Sequence, residues 1–432
     1  MLWRRMECNL HLPPVRTFLR RLALSAGIAA CGATAALAQK TLTWDDAKRE
    51  LLAANPTLLA GRIGIQESRA EEITASLRPN PDLTLALDQV DPFTTNPYRP
   101  FSGALPFVST SYLVERQHKR RLRLESAQKA TTIATSELAD EQRTLVFGLR
   151  GAFIQVLQQK AVLAVARESL GYYDRLLAVN RDRYKAGDIA AVDLDRLELQ
   201  RVQFETDVQV AVVNVRTAKI QLKALLNDST PVEKLDVSGP FEFADILTPL
   251  EEFRQYALDS RPDLRAALQG IDKARTDYRL AVANGSTDPV FGLDFGHQYP
   301  VQAFVGVSVS IPLRIFDRNQ GEKTRTRLDI DRSQRLADAI RLQVFSDVDS
   351  AYAAIESNLI LLRPYQTNYL PKAARVRETI AFSYQHGGAS LVDFLESQQA
   401  YREIQLAYVN LVGSYLTAAS QLNFAVGREV VP

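Results

Sequence analysis

Two periodicities divide this chain. Four short segments alternate apolar and small or polar positions with period two. In "DLTLALD", Leu83, Leu85 and Leu87 face away from Thr84, Ala86 and Asp88; in "FVSTSYLVE", Val108, Thr110, Tyr112 and Val114 oppose Ser109, Ser111 and Glu115. In "VFGLDFGH", Phe291, Leu293 and Phe295 oppose Gly292, Asp294 and Gly296, and in "VGVSVSI", Val305, Val307, Val309 and Ile311 oppose Gly306, Ser308 and Ser310. Such segments predict strands with one greasy and one small or polar face, near the length that crosses a bilayer. Elsewhere the apolar positions follow a 3-4 heptad spacing. Leu194, Leu197, Phe204, Val208, Ala211, Val215, Ala218, Leu222 and Leu225 form one seam, broken where Arg201 takes a seam position. Phe394, Tyr401, Ile404, Tyr408, Leu411, Tyr415, Ala418, Leu422 and Ala425 form another, with Ser397 as its polar exception. These are coiled-coil seams.

The two seams lie at a constant offset, and so does what precedes them. "RYKAGDIAAVDLD" from Arg183 aligns with "SYQHGGASLVDFL" from Ser383, pairing Tyr184 with Tyr384, Gly187 with Gly387 and Asp193 with Asp393. Upstream, "ANPTLLAGRIGIQESR" from Ala54 matches "SRPDLRAALQGIDKAR" from Ser260. Four blocks matched in one order make the chain an internal tandem duplication. Each half reads helix, strand, loop, strand, long helix, turn, long helix. The expected boundaries are 39-235, with a β-hairpin near 81-117 and a helical hairpin near 118-228, and 236-432, with a β-hairpin near 289-313 and a helical hairpin near 320-427. The hairpin loop "QVDPFTTNPYRPFSGALP" is long and aromatic, whereas "QYPVQA" is short. Gly171 and Pro371 occupy the same repeat position and predict a shared break halfway along the incoming arms. Gly187 and Gly387 supply the backbone freedom to reverse one arm into the next. Asp193 and Asp393 open the returning helices, where a carboxylate suits the positive dipole end.

Composition then narrows the class. A formal net charge of +2 leaves no nucleic-acid footprint. His118, His297 and His386 stand too far apart for a zinc site, and no phosphate loop, dinucleotide fingerprint or nucleophile elbow is present, so no enzyme, metal centre or cofactor is expected. Residues 1-38 read as a signal peptide: Arg16, Arg20 and Arg21 precede a short apolar run. Cleavage after Ala38 would leave Gln39 first; alternatively, "IAAC" resembles a lipoprotein box and makes Cys31 a candidate lipidation site. Both cysteines and both methionines lie within these 38 residues, which leaves no soft ligands for a copper(I) relay. No later run is apolar enough for a transmembrane helix, so any membrane contact is by strands or lipid. Four strands cannot close a barrel, and open edges cannot sit in lipid. Either the hairpins are soluble, as in a periplasmic coiled-coil scaffold or adhesin, or several chains pool their strands.

The duplicated Tyr-x-x-Gly-x-x-x-x-x-Asp turn, the paired hairpins and "IPLRIFDRNQGE" from Ile311 together resemble the TolC-type outer-membrane efflux factor family, the last motif being similar to one in its heavy-metal, CzcC- and CusC-like branch. The resemblance spans almost the whole chain after residue 38. It implies a mainly α fold with a small β part: a homotrimer in which each chain gives four strands to a twelve-stranded barrel in outer-membrane lipid. Long helices would continue as a periplasmic tunnel docked on a periplasmic adaptor and an inner-membrane pump of RND type. By the resemblance Asp393 and Glu396 form the aperture, Tyr384 and Asp193 match gate-lining and gate-linking positions, and the cargo is heavy-metal cations or, failing that, drugs or organic compounds. Some members carry an arginine where Ala389 stands here, so the usual gate salt bridge lacks its cation unless Arg196 substitutes.

Overall fold

The computed structural model describes residues 40–93, 96–245, 248–298 and 301–431; the signal segment, its two cleavage alternatives and Cys31 lie outside them. The element order runs β1 (Lys40–Leu42), α1 (Trp44–Ala54), α2 (Pro56–Ser76), β2 (Asp82–Asp88), β3 (Leu105–Leu113), α3 (Lys119–Ala186) and α4 (Ala191–Leu226). It then repeats as β4 (Leu235–Val237), α5 (Leu250–Ser260), α6 (Pro262–Asn284), β5 (Val290–Gln298), β6 (Val301–Ser310), α7 (Gln320–Pro364), α8 (Leu370–Gln385) and α9 (Leu391–Val426).

The first helix of each half is split by proline. Asn55 caps α2, its side chain accepting from the Thr57 and Leu58 amides, with Pro56 at the first helical position, where a missing N–H does no harm. Pro262 does the same for α6. The preceding Arg261 is buried; it ion-pairs with Asp263 and with Asp347 of α7 and donates to the Ala425 carbonyl at the end of α9. One side chain thereby fixes where three helices of the second half meet.

The expected break at Gly171 is absent: α3 runs unbroken through 68 residues. Glycine weakens a helix by about 1 kcal/mol but keeps its N–H, so the ladder survives. Proline does not keep it. In the second half Pro364 and Pro371 bracket a wide turn at Tyr365–Tyr369, in which the Leu370 amide reaches the Tyr365 carbonyl five residues back. The irregularity therefore belongs to one repeat and lies just before Pro371.

The heptad seams pack as spaced. Leu197, Phe204, Ala211, Ala218 and Leu222 of α4 are buried, as are Phe394, Tyr415, Ala418, Leu422 and Ala425 of α9. Arg201 escapes its seam by pairing with Asp174 and Glu205, and buried Ser397 returns its hydroxyl proton to the Phe394 carbonyl. Along the upper part of the molecule α3 packs against α2 and α6, and lower down against α4 and α9. Midway, a two-stranded parallel pairing of β1 with β4 covers Leu149, Phe153 and Val156 of α3 and closes one apolar core. Phe253, Ala257, Val344, Val348 and Leu422 form its counterpart in the second half.

The strands make one antiparallel sheet in the order β2-β3-β5-β6. Its register aligns Leu85, Val108, Phe295 and Val305 in one row and Thr84, Ser109, Asp294 and Gly306 in the adjacent row on the other face.

Candidate functional site: the turn tips and the sheet

At the far end of the helices both reversals are built alike. Gly187 (φ 83°) and Gly387 (φ 79°) adopt the left-handed conformation, and the next amide, of Asp188 or Gly388, returns to the Arg183 or Ser383 carbonyl. The returning helices start differently. Ser390 and Asp393 form a reciprocal capping box: the Ser390 amide and hydroxyl both donate to Asp393 Oδ2, at 3.0 and 2.7 Å, while the Asp393 amide donates to Ser390 Oγ. These two donations from Ser390 hold the Asp393 carboxyl below the usual carboxylate range. The first copy has Ala190 at the capping position and no such box.

Asp393 and Glu396 are both exposed on one face of α9, opposite the buried face formed by Phe394, Ser397 and Gln398. Asp193 takes a weak contact from Arg196, one turn along on its own helix, at 3.7 Å. The substitute cation considered for a gate bridge thus stays within α4 and does not link the two halves.

Tyr384 is placed where a link does exist. Its side chain is buried, its ring stacks on Phe394 at 5.2 Å, and its hydroxyl donates to Asn180 Oδ1 of α3 at 2.9 Å. Burial raises its pKa, partly offset by Arg183 and helped by Asp193. Tyr184, its equivalent in the first copy, is exposed. The two repeats therefore use the same tyrosine differently: one faces outward and the other ties the repeats together. Sequence reasoning missed Asn180. The available signal was an amide interrupting the apolar stretch "LLAVN", one turn above Tyr184.

The second functional feature is the sheet. Leu83, Leu85, Leu87, Val108, Phe291, Leu293, Phe295, Val305, Val307 and Val309 are all exposed, and the register puts them on one face. On the other face Ser109 donates to Asp294, and Gly292, Gly306 and Gly296 lie opposite Ser308, Asp294 and Phe304. A Cβ at Gly296 would stand 2.6 Å from the Phe304 ring, so this small-residue pattern is what lets the strands carry Phe304 on that face. β2 and β6 are open edges of this sheet. Among the described residues no helix is long and apolar enough to cross a membrane.

The "FDRNQG" motif joins this sheet to α7. Asn319 has φ 61°, its side-chain amide donates to the Ala281 carbonyl at the end of α6, and Asp317 accepts from the Asn319 amide. The motif is a strand-to-helix turn. Among the described residues no group of three or more His, Cys, Asp or Glu side chains is gathered as for a metal ion.

An exposed apolar sheet at one end and a long helical shaft with glycine turns at the other define a fold class, that of the TolC-type outer membrane channels, and comparison finds the chain similar to its members. Residues 253–428 match the family model described as outer membrane efflux protein. The chain is 22% identical over 399 residues to the cobalt-zinc-cadmium resistance protein CzcC of Cupriavidus metallidurans, covering 90% of each chain. It is 23% identical to the pyoverdine export outer membrane protein OpmQ of Pseudomonas aeruginosa, covering 87% of this chain and 78% of that one. Among solved structures, CusC superposes with a TM-score of 0.74 over 89% of this chain and 92% of its own, at 15% identity. The open-state MtrE channel of Neisseria gonorrhoeae superposes with 0.72 over 90% and 89%, also at 15% identity. The proteins to which the chain is similar in sequence and in fold are outer membrane efflux proteins, none of them an enzyme.

Proposed function

We propose that three copies of this chain assemble into a passive exit duct, and that the sheet is the observation that carries this reading. Its apolar face suits acyl chains, its small and polar face suits a water-filled lumen, and its two open edges need partners in lipid. Three sheets joined edge to edge give twelve strands. The helices then line a periplasmic tunnel, which a periplasmic adaptor would couple to an inner-membrane pump of RND type that supplies the energy. Asp393 and Glu396, three residues apart on one exposed face, would stack two acidic rings at the narrow end and concentrate cations there.

Heavy-metal cations are the cargo we favour. The similarity to CzcC over nine-tenths of the chain supports it, and so would an acidic aperture. A second reading, an organic cargo, draws on the similarity to OpmQ. The "FDRNQG" turn argues for neither, because its residues are spent on connecting β6 to α7.

The test places one arginine on each face of β6. Arginine at Val307, in the apolar row, should cost about 2–4 kcal/mol in lipid and abolish outer-membrane assembly, whereas arginine at Ser308, on the other face, should leave assembly intact. Equal tolerance of the two, with the protein soluble and monomeric without detergent, would instead support the periplasmic scaffold.

A further inference from the structure

Midway along the shaft, a cavity of about 900 Å³ opens between the two repeats. The first repeat contributes Trp44, Phe147, Arg150 and Phe153 to its wall, and the second contributes Phe424 and Arg428. Its size falls in the range of pockets that bury small organic ligands, about 300–1,000 Å³. Its position sets it apart from both the turn tips and the sheet.

The charges around it are unequal in what they have left to give. Arg143 is spent on Asp140, Asp263 and the Phe424 carbonyl. Lys48 is spent on Glu429 at 2.7 Å, and Arg428 lies 3.7 Å over the Tyr256 ring. Arg150 differs. Its guanidinium lies 4.5 Å over the Trp44 ring, and among the described residues it takes part in no hydrogen bond or ion pair. Burial lowers its pKa; Glu429 and Asp45 act on it only at a distance and partly restore it. A half-buried guanidinium whose donors are all unspent, laid on an aromatic shelf in the cavity wall, is available to an acceptor that enters the cavity.

We propose that this cavity is a binding site for a small amphipathic anion with an aromatic or acyl body, Arg150 taking the anionic head and Trp44, Phe147, Phe153 and Phe424 the apolar part. A carboxylate or sulfonate would receive charge-assisted hydrogen bonds from the guanidinium. Because the wall comes from both repeats, occupancy would also clamp them together at mid-shaft. The site does not depend on what the duct conducts.

Trp44 supplies the readout, since it is the only tryptophan after residue 38. The probe is 8-anilinonaphthalene-1-sulfonate, and its control is N-phenyl-1-naphthylamine, the same ring system without the sulfonate. Both are titrated into the full-length protein in neutral detergent while Trp44-sensitised probe emission is followed. The expected result is saturation at one sulfonate probe per chain. Arg150→Gln should weaken that binding about tenfold, the loss of one charge-assisted contact, while leaving the uncharged probe's signal unchanged; Arg150→Lys should retain most of it. Transfer that is equal for the two probes, or indifferent to Arg150→Gln with melting unaltered, overturns the proposal. Should Arg150→Gln fail to fold, the Arg150→Lys protein decides: sulfonate-selective transfer upholds the site and its loss in a folded protein removes it.

Discussion

The hydroxyl of Tyr384 meets the side-chain carbonyl oxygen of Asn180 across 2.9 Å, inside the apolar cluster at the turn tips. Asn180 in turn donates to the Leu176 carbonyl, so neither polar group is left bare. Tyr384→Phe keeps the ring against Phe394 and removes only the donor. A buried acceptor without a partner costs about 1–3 kcal/mol. The melting midpoint should fall, and Asn180→Leu should lower it too. The double variant should lose less than the sum of the two, which a thermal double-mutant cycle measures directly.

Glycines in the long arms should respond with opposite sign. At Gly187 and Gly387 an added Cβ meets nothing within 4 Å, so alanine is opposed by the left-handed backbone alone, about 1–2 kcal/mol at each turn. At Gly171, in the middle of α3, the added Cβ makes only an ordinary contact with Arg175, and alanine should stabilise by about 1 kcal/mol. Denaturant midpoints of the three single variants check the sign.

Acid should loosen the anchoring of β1 at one identifiable carboxylate. Asp228 receives Lys40 at 2.8 Å and the Thr230 amide and hydroxyl, and although burial opposes ionisation, these donors bring its pKa down to about 2. A carboxyl lowered in the folded state adds stability that is full above its unfolded pKa, near 4, and is lost as pH falls towards 2. Allowing for solvent screening, the contribution is roughly 1 kcal/mol. The melting gap between the parent and Asp228→Asn should therefore be constant from pH 7 to 5 and close between pH 4 and 2. A gap that persists at pH 2 would assign the effect to something other than charge.

The double change Asp393→Asn, Glu396→Gln deletes the charge at the tips while keeping shape and hydrogen-bonding capacity. Asparagine can still accept from Ser390, so the proposed trimer should assemble as before. Single-channel cation selectivity should fall, and block by di- or trivalent cations should weaken. Unchanged selectivity and block with assembly intact would reduce both residues to helix-start carboxylates.

Local patterns in the sequence foretold much of this architecture. Period two located the strands because each apolar residue faces one way, and the heptads located α4 and α9 because burial follows the seam. Three features were not legible. The unbroken course of α3 depends on glycine keeping its N–H, which a position shared with Pro371 concealed. The contact of Tyr384 with Asn180 joins residues far apart in sequence, and only the packing of α8 against α3 brings them together. Arg150 reads as an ordinary helix-surface cation until α1 and the end of α9 enclose it. Asp393 was legible twice over, as the residue opening a helix and as an exposed charge, and the capping box accounts for the first of these.

The pairing of β1 with β4 also works as a measuring rope. Thr41 lies opposite Asp236, which accepts from Lys160 of α3 at 2.9 Å, forty-one residues below the start of that helix at Lys119. At 1.5 Å per residue that is roughly 60 Å from the sheet. Nine peptide steps lead from Cys31 to Lys40 and, even fully extended, reach roughly 30 Å. On the proposed reading that the sheet crosses the bilayer, a lipid on Cys31 would fall short of it, which makes the two cleavage alternatives separable by experiment. The mass of the exported chain should begin at Gln39, and Cys31→Ala should be silent; fatty-acid labelling of the exported protein would show the rope to be longer than its peptide units allow.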